Sequence, residues 1–337
     1  MRKGISFTKK KINQLTGIIN QFPKVRLLVI GDFILDQYIW GDVSRISPEA
    51  PVPVVDVDIR RETYQPGGAL NVGNNIVTLG ATVFPCGVVG RDLYGRMLVR
   101  RMKEEGIDTS GIIIDMDRPT TLKTRVFARS QQVVRFDRES REELSHKDQK
   151  KIMEYCRKKI KEVDGVIIED YGKGVIIPEL LKDIAPLAKR YNKFVAVDPK
   201  EKHFKYYKNV TVITPNKKEA FTAAGVSLED RRVSIEDVGV MLLKRIGCKA
   251  ILITLGEEGM ALFEKNGSIS KIPTTAQEVF DVSGAGDTVI AVLALAISTG
   301  ADFHDAALIA NLAAGIVVGK VGAASITKEE LLASFNR

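Results

Sequence analysis

Cysteine is scarce in this chain of 337 residues. Cys86, Cys156 and Cys248 lie far apart, are odd in number and belong to no CxxC or Cys/His cluster. That excludes a disulfide framework and a thiolate zinc site, and it points to a cytoplasmic protein. Long apolar runs are also missing: the longest, near 288–297, falls well short of the roughly 20 residues needed to span a bilayer, so no membrane partner is expected. Residues 1–26 lack the apolar centre and small-residue cleavage site of a signal peptide. No repeat or low-complexity linker interrupts the chain, so nothing marks a boundary between independent domains.

Acidic residues are absent from one stretch. The first 26 residues hold seven Lys/Arg and no Asp or Glu, which accounts for nearly all of the net charge of +8. The rest carries 43 basic and 42 acidic residues, a nearly neutral body that gives no footing for a nucleic-acid partner. Within the basic extension Ile12, Leu15, Ile18, Ile19 and Phe22 recur at helical spacing. A short amphipathic helix packed on the body is expected, with residues 1–24 as the extension and 25–337 as the body.

What the body does have is alternation. Short apolar segments at 25–30, 163–168, 194–197, 210–213 and 250–254 read as buried strands. Helical stretches fall between them near 146–162, 178–190, 216–224 and 234–246. This predicts an α/β fold in three layers, a mainly parallel central sheet with helices on both faces. Ligands gather at the carboxyl ends of strands in such sheets, and Asp32, Asp170, Asp198, Asn216 and Gly256 all follow strand ends. Two regions break the alternation. The proline-rich 38–65 segment and the hairpin-like 118–138 segment, with Leu122–Ala128 and Gln132–Phe136 as its strands, predict a small sheet projecting as a lid. Its exposed edge would be covered by homodimerisation.

Asp281-Val-Ser283-Gly284-Ala285-Gly286-Asp287 runs directly into the apolar helix former that begins at Thr288. Glycines here let backbone amides approach a ligand, and a helix N-terminus favours an anion. A carboxylate at Asp287 beside those amides suits phosphoryl transfer to an alcohol, the amides holding the charge and the carboxylate taking the proton. Taken alone, the stretch is equally a helix start capped by Ser283 or Asp287. Gly67-Gly68-Ala-Leu-Asn71-Val-Gly-Asn74-Asn75 opens a second helix with paired glycines, a start that suits a polyhydroxylated ligand or simply a capped terminus.

In this order and separation the two stretches resemble the signatures of the ribokinase-like (PfkB) sugar kinases, over roughly residues 25–325. Further segments are similar to one branch, the D-glycero-β-D-manno-heptose 7-phosphate kinases of lipopolysaccharide core synthesis. They are Gly31-Asp-Phe-Ile-Leu-Asp36-Gln-Tyr38, Arg45-Ile-Ser-Pro-Glu-Ala-Pro-Val-Pro53, Asp170-Tyr-Gly-Lys173-Gly174 and Val197-Asp-Pro-Lys200. Bifunctional relatives continue into a nucleotidyltransferase domain, and the chain is expected to match the stand-alone kinase.

The resemblance implies ATP and Mg²⁺, with K⁺ as a candidate monovalent cation. It makes Asp287 the general base for the anomeric hydroxyl and the amides of Gly284, Ala285 and Gly286 the anion hole. Asp36, Gly67, Gly68 and Asn71 are implied to hold sugar hydroxyls, and Asp170 falls in the substrate-binding set. Asn216 and Glu219 are implied to organise Mg²⁺ through water. Thr254, Gly256 and Gly259 would line the nucleotide, with Asn311 near the adenine edge. Asp281 and Ser283, with carbonyls near Val318–Gly322, resemble a monovalent-cation loop. A phosphorylated acceptor also needs cations, and Arg135, Lys173 and Lys200 are the candidates, although ATP phosphates would attract the same charges. A kinase for ribose, a fructose phosphate or a nucleoside, and a catalytically inactive sugar or nucleotide binder, stay open as alternatives.

Overall fold

The computed structural model describes residues 7–129, 131–276 and 278–336. Fourteen strands are described. They are β1 (Arg26–Gly31), β2 (Phe33–Ile46), β3 (Pro53–Val57), β4 (Thr63–Gly68), β5 (Thr82–Gly90), β6 (Ile112–Asp115), β7 (Thr121–Ala128), β8 (Gln131–Arg138), β9 (Gly165–Glu169), β10 (Phe194–Asp198), β11 (Val212–Ile213), β12 (Ala250–Thr254), β13 (Met260–Glu264) and β14 (Ile269–Ile272). The α-helices are α1 (Lys9–Ile19), α2 (Ala69–Thr78), α3 (Leu93–Glu104), α4 (His146–Lys159), α5 (Pro178–Arg190), α6 (Lys217–Ala224), α7 (Ile235–Ile246), α8 (Ala285–Ser298), α9 (Phe303–Val317) and α10 (Lys328–Ala333).

Nine strands form the central sheet in the order β14-β13-β12-β11-β10-β9-β1-β5-β6. All pairings are parallel except β12–β13 and β13–β14. The apolar runs are continuous because both faces are covered. In β1, Leu27 and Val29 enter one core with residues of α2, α8 and α9, while Leu28 and Ile30 enter a second core with α4, α5 and α7. This is the expected three-layer α/β arrangement. The antiparallel edge β13–β14 goes beyond the parallel sheet that the alternation predicts, and the turn at Gly259 makes it possible: its φ of +92° suits glycine, and a Cβ there would collide with the carbonyl of Ile272.

The second sheet has the order β3-β2-β7-β8, with β4 on the inner half of β2. The β7–β8 hairpin is antiparallel, whereas β2 and β7 run parallel, with Asp36 opposite Lys123 and Tyr38 opposite Arg125. This sheet begins at Phe33, deep inside the molecule, where Phe33 to Tyr38 are all buried. Its outer strand β8 is exposed throughout. At the N-terminus, α1 buries Leu15 and Ile19 against the α8–α9 core. Lys11 and Gln14 both bond the buried carboxylate of Asp305, the Gln14 amide at 2.6 Å, which ties α1 to α9. No helix among the described residues is long and apolar enough to cross a membrane.

Candidate active site

The helix α8 is apolar on every side and almost wholly buried, so its N-terminus is fixed by packing rather than by a cap. Its N-cap is Gly284, in the left-handed region at φ +77°, and no side chain caps it. The capping role that Ser283 or Asp287 could have played is therefore not what the structure shows. The amide of Ala285 donates to the Val282 carbonyl over a long 3.3 Å. The amides of Gly284 and Gly286 have no acceptor among the described residues. Uncapped amides at the start of a fourteen-residue helix are suited to receive an anion.

Asp287 follows directly and is only 3% exposed. Its Oδ2 accepts from Asn71 Nδ2 at 2.7 Å and its Oδ1 from the Tyr171 hydroxyl at 2.8 Å. Burial pushes its carboxyl up to about 6, while these two donors hold it back. It is a carboxylate at neutral pH with raised proton affinity, as a general base requires. Asn71 sits in the first turn of α2, which starts where Gly68 turns at φ +58°. A Cβ on Gly284 would lie 2.5 Å from Asn71 Nδ2, so glycine there lets α2 and α8 converge on one carboxylate.

Asp36, on β2, is buried and paired with Arg125 Nη1 on β7 at 2.5 Å. A Cβ on Gly67 would collide with its carboxylate, so Gly67 and Asp36 are also in close apposition. Asp36, Gly67, Gly68, Asn71 and Asp287 thus converge at the junction of the two sheets.

Two further acidic groups stand beside Asp287, and only Asp198 of the two is a strand-end candidate in the sequence. Glu169 and Asp198, at the ends of β9 and β10, place carboxylate oxygens within 4.8 Å of one another and of Asp287. Burial, with Asp198 and Asp287 beside it, holds Glu169 protonated far above the usual range, and neither of its oxygens meets a protein donor. In the acid form it donates to Asp198. Burial and the charge of Glu219 push Asp198 itself up to about 8. The strand-end position of Asp198 was legible, but the role of Glu169 was hidden because it reads as the last residue of an apolar strand. Tyr171 was visible only as part of a longer motif.

The Asp170 carboxylate is engaged by His203 Nδ1 at 2.5 Å, by the Tyr207 hydroxyl at 2.6 Å and by the amide of Gly172 at 2.8 Å. Its neighbour Asp32 accepts the amides of Tyr171, Lys173 and Val175. These two acids hold the 170–175 turn that presents Tyr171; the three bonds to Asp170 bind it into the protein interior rather than leaving it open to a ligand.

Further along the central sheet, Asn216 caps α6 in a reciprocal box with Glu219 and bridges Thr254 at the end of β12. The Lys200 ammonium lies 3.6 Å from Glu219 and 3.2 Å from Glu201. Gly256, at φ +61°, and Gly259 form the turn after β12. Asn311 is buried, its amide donating to the Pro273 carbonyl at 2.9 Å. The Asp281 carboxylate takes the amides of Ser283 at 2.8 Å and Gly322 at 3.1 Å, and the Val318 carbonyl accepts Phe280 and Asp281. The 281–283 and 318–322 segments are therefore clasped together. Lys173 pairs with Glu139 at 2.5 Å, and Arg135 on β8 pairs with Asp137 at 3.1 Å.

Residues 25–330 match the pfkB family carbohydrate kinase model. The bifunctional protein HldE of Desulfatibacillum aliphaticivorans is 46% identical over 317 residues, 94% of this chain and 64% of that protein. The HldE of Geobacter sulfurreducens is 46% identical over 311 residues, 92% of this chain and 63% of that protein. The chain therefore spans less than two thirds of the length of these relatives. Among solved structures, a ribokinase of Arabidopsis thaliana complexed with ribose and ATP superposes with a TM-score of 0.71 at 18% identity, covering 93% of this chain and 99% of that one. The phosphofructokinase-2 of Escherichia coli in complex with potassium gives 0.74 at 15% identity, with 93% and 99% covered. These last two likenesses show the fold.

Proposed function

The chain belongs to the pfkB family of carbohydrate kinases, and from that premise we propose that it transfers the γ-phosphoryl group of ATP to the anomeric hydroxyl of D-glycero-β-D-manno-heptose 7-phosphate, giving the 1,7-bisphosphate. The observation that carries the chemistry is Asp287, a buried carboxylate beside the uncapped start of α8. The heptose assignment is supported by the likeness to HldE proteins and by the segments at 45–53 and 170–174.

Asp287 takes the hydroxyl proton, held in place by Asn71 and Tyr171. The amides of Gly284 and Gly286, with the positive end of α8, meet the charge on the phosphoryl group in flight, and Asp36 with the glycine pair orients the sugar. Glu219, Asn216 and Asp198 provide the hard oxygen donors that suit Mg²⁺, which when bound would neutralise phosphate charge. Thr254, Gly256 and Gly259 are assigned to the nucleotide side, and the clasped 281–283 and 318–322 segments to K⁺. The exposed apolar side chains of the second sheet, Val134, Phe136 and Ile46 among them, support a homodimer formed through it.

The test is ADP release across a panel of sugars, sugar phosphates and nucleosides, with NMR identification of the product. Formation of the 1,7-bisphosphate is expected; a higher kcat/KM with ribose, a fructose phosphate or a nucleoside would overturn the heptose assignment.

A further inference from the structure

One face of the second sheet looks toward Asp287, and strand alternation sets its membership. Asp36 and Tyr38 on β2, Lys123 and Arg125 on β7, and Arg135 and Asp137 on β8 are cross-strand partners in register. The Tyr38 hydroxyl accepts the amide of Ala323, and Arg125 packs over the Tyr38 ring, so this face closes against the loop beside α8. Four cations crowd there: Lys123, Arg125, Arg135 and, from the 170–174 turn, Lys173.

Three of them are neutralised within the protein. Arg125 pairs with Asp36, Arg135 with Asp137 and Lys173 with Glu139. Lys123 has no ion pair or hydrogen bond among the described residues. Its cross-strand neighbours Asp36 and Asp137 are both acids, yet each is engaged by an arginine. The Lys123 ammonium sits 5.0 Å from the ring centroid of Tyr171, the same tyrosine that bonds Asp287. Half-buried, and with Lys173 and Arg135 adding positive charge, it is held below the usual lysine value chiefly by burial. A cation kept unpaired in such a place lacks the partner that burial demands.

The geometry points to Lys123 as the anchor for a phosphate ester carried by the acceptor sugar, and so as the residue that makes the enzyme prefer sugar phosphates over free sugars. The ammonium packs against the ring whose hydroxyl holds the catalytic carboxylate, so it borders the acceptor site without bonding Asp287 itself. A phosphate held there would belong to the acceptor. Arg135 and Lys173 flank this position but are already paired, so they add field rather than a free contact. Lys200 serves the other side, beside Glu219.

The inference rests on the kinase reading of Asp287, and the experiment separates the two. ADP release is measured for the wild type, Lys123→Met and Lys123→Arg with D-glycero-β-D-manno-heptose 7-phosphate and fructose 6-phosphate, each against its unphosphorylated sugar. Loss of one charge-assisted contact should lower the ratio of kcat/KM for phosphorylated over free sugar by about 10- to 100-fold in Lys123→Met, mainly through KM, and Lys123→Arg should restore part of it. A wild type indifferent to the acceptor phosphate overturns the proposal. So does a variant that loses kcat equally with both kinds of acceptor, since Lys123 would then act only through Asp287, whose proton affinity its charge helps hold down. If fructose 6-phosphate proves the better acceptor, the heptose reading fails while the anchor is judged by the same ratio. If nothing is turned over, calorimetry of both sugar phosphates with ADP-bound wild type and Lys123→Met decides: about tenfold or more weaker binding to the variant supports the anchor, and equal affinity refutes it.

Discussion

Replacing Asp287 by Asn should cost activity and gain stability, with both effects arising from the same burial. In the folded protein the carboxyl is pushed from 3.8 up to about 6. Below pH 3.8 the group is protonated in both folded and unfolded chains, and no cost arises. As pH rises toward 6 the unfolded chain releases its proton first, and the folded state loses ground. Above pH 6 the full cost applies, roughly 3 kcal/mol at 1.36 kcal/mol per unit. Asparagine has no charge to desolvate, but its amide cannot serve both Asn71 and Tyr171 as the carboxylate does, which takes back about 1 kcal/mol. Asp287→Asn is therefore expected to be more stable than the wild type by about 2 kcal/mol at pH 8, the advantage shrinking as pH falls toward 5. Turnover should fall by about 10²- to 10⁴-fold. Urea denaturation at several pH values and a coupled ADP assay measure both quantities. A variant less stable than the wild type at pH 8, or one with near-normal turnover, would refute this account of the carboxylate.

Tyr171→Phe removes a donor that holds the Asp287 proton affinity down, so the acid limb of kcat/KM should move to higher pH; an unmoved limb would show that the hydroxyl does not tune the base. Gly284→Ala forces a Cβ into the left-handed region and toward Asn71, costing about 1–2 kcal/mol of stability from the backbone alone and lowering turnover; a fully active, equally stable variant would contradict the close approach of α2 and α8. Phe136→Asp on the exposed strand β8 should shift sedimentation from dimer toward monomer without loss of fold, and an unchanged sedimentation coefficient would place any interface elsewhere.

The layered α/β fold was legible because parallel strands buried on both faces leave continuous apolar runs, and Val25–Ile30 and Ala250–Thr254 read directly as β1 and β12. The helices α4 to α7 fell within a few residues of expectation, since their apolar spacing and caps are local signals. Less visible was what depends on distant pairing. The parallel register of β2 with β7 puts Lys123 opposite Asp36, and nothing in either segment announces the other. Glu169 ends an apolar strand and looked like its polar terminus, yet it is buried against Asp198. The phosphate candidates show the same limit. Arg135 and Lys173 stand out in the sequence by their charge, but only the fold shows that, among the described residues, their charges are already met while that of Lys123 is not.

Strand β2 is one unbroken peptide from Phe33 to Ile46, packed among core side chains at its start and bathed in solvent at its tip. It contains no proline, and its single glycine, Gly41, is wedged against the backbone of Asp56, so the ribbon has no soft joint until its register shifts against β3 between Val43 and Arg45. Leverage follows from that stiffness. A load hung at Asp42, inside that shift, whether a cross-linker or a surface tether, would tilt Asp36 and the sugar proposed to bind there, and immobilising the enzyme through Asp42 would disturb catalysis more than immobilising it through α1.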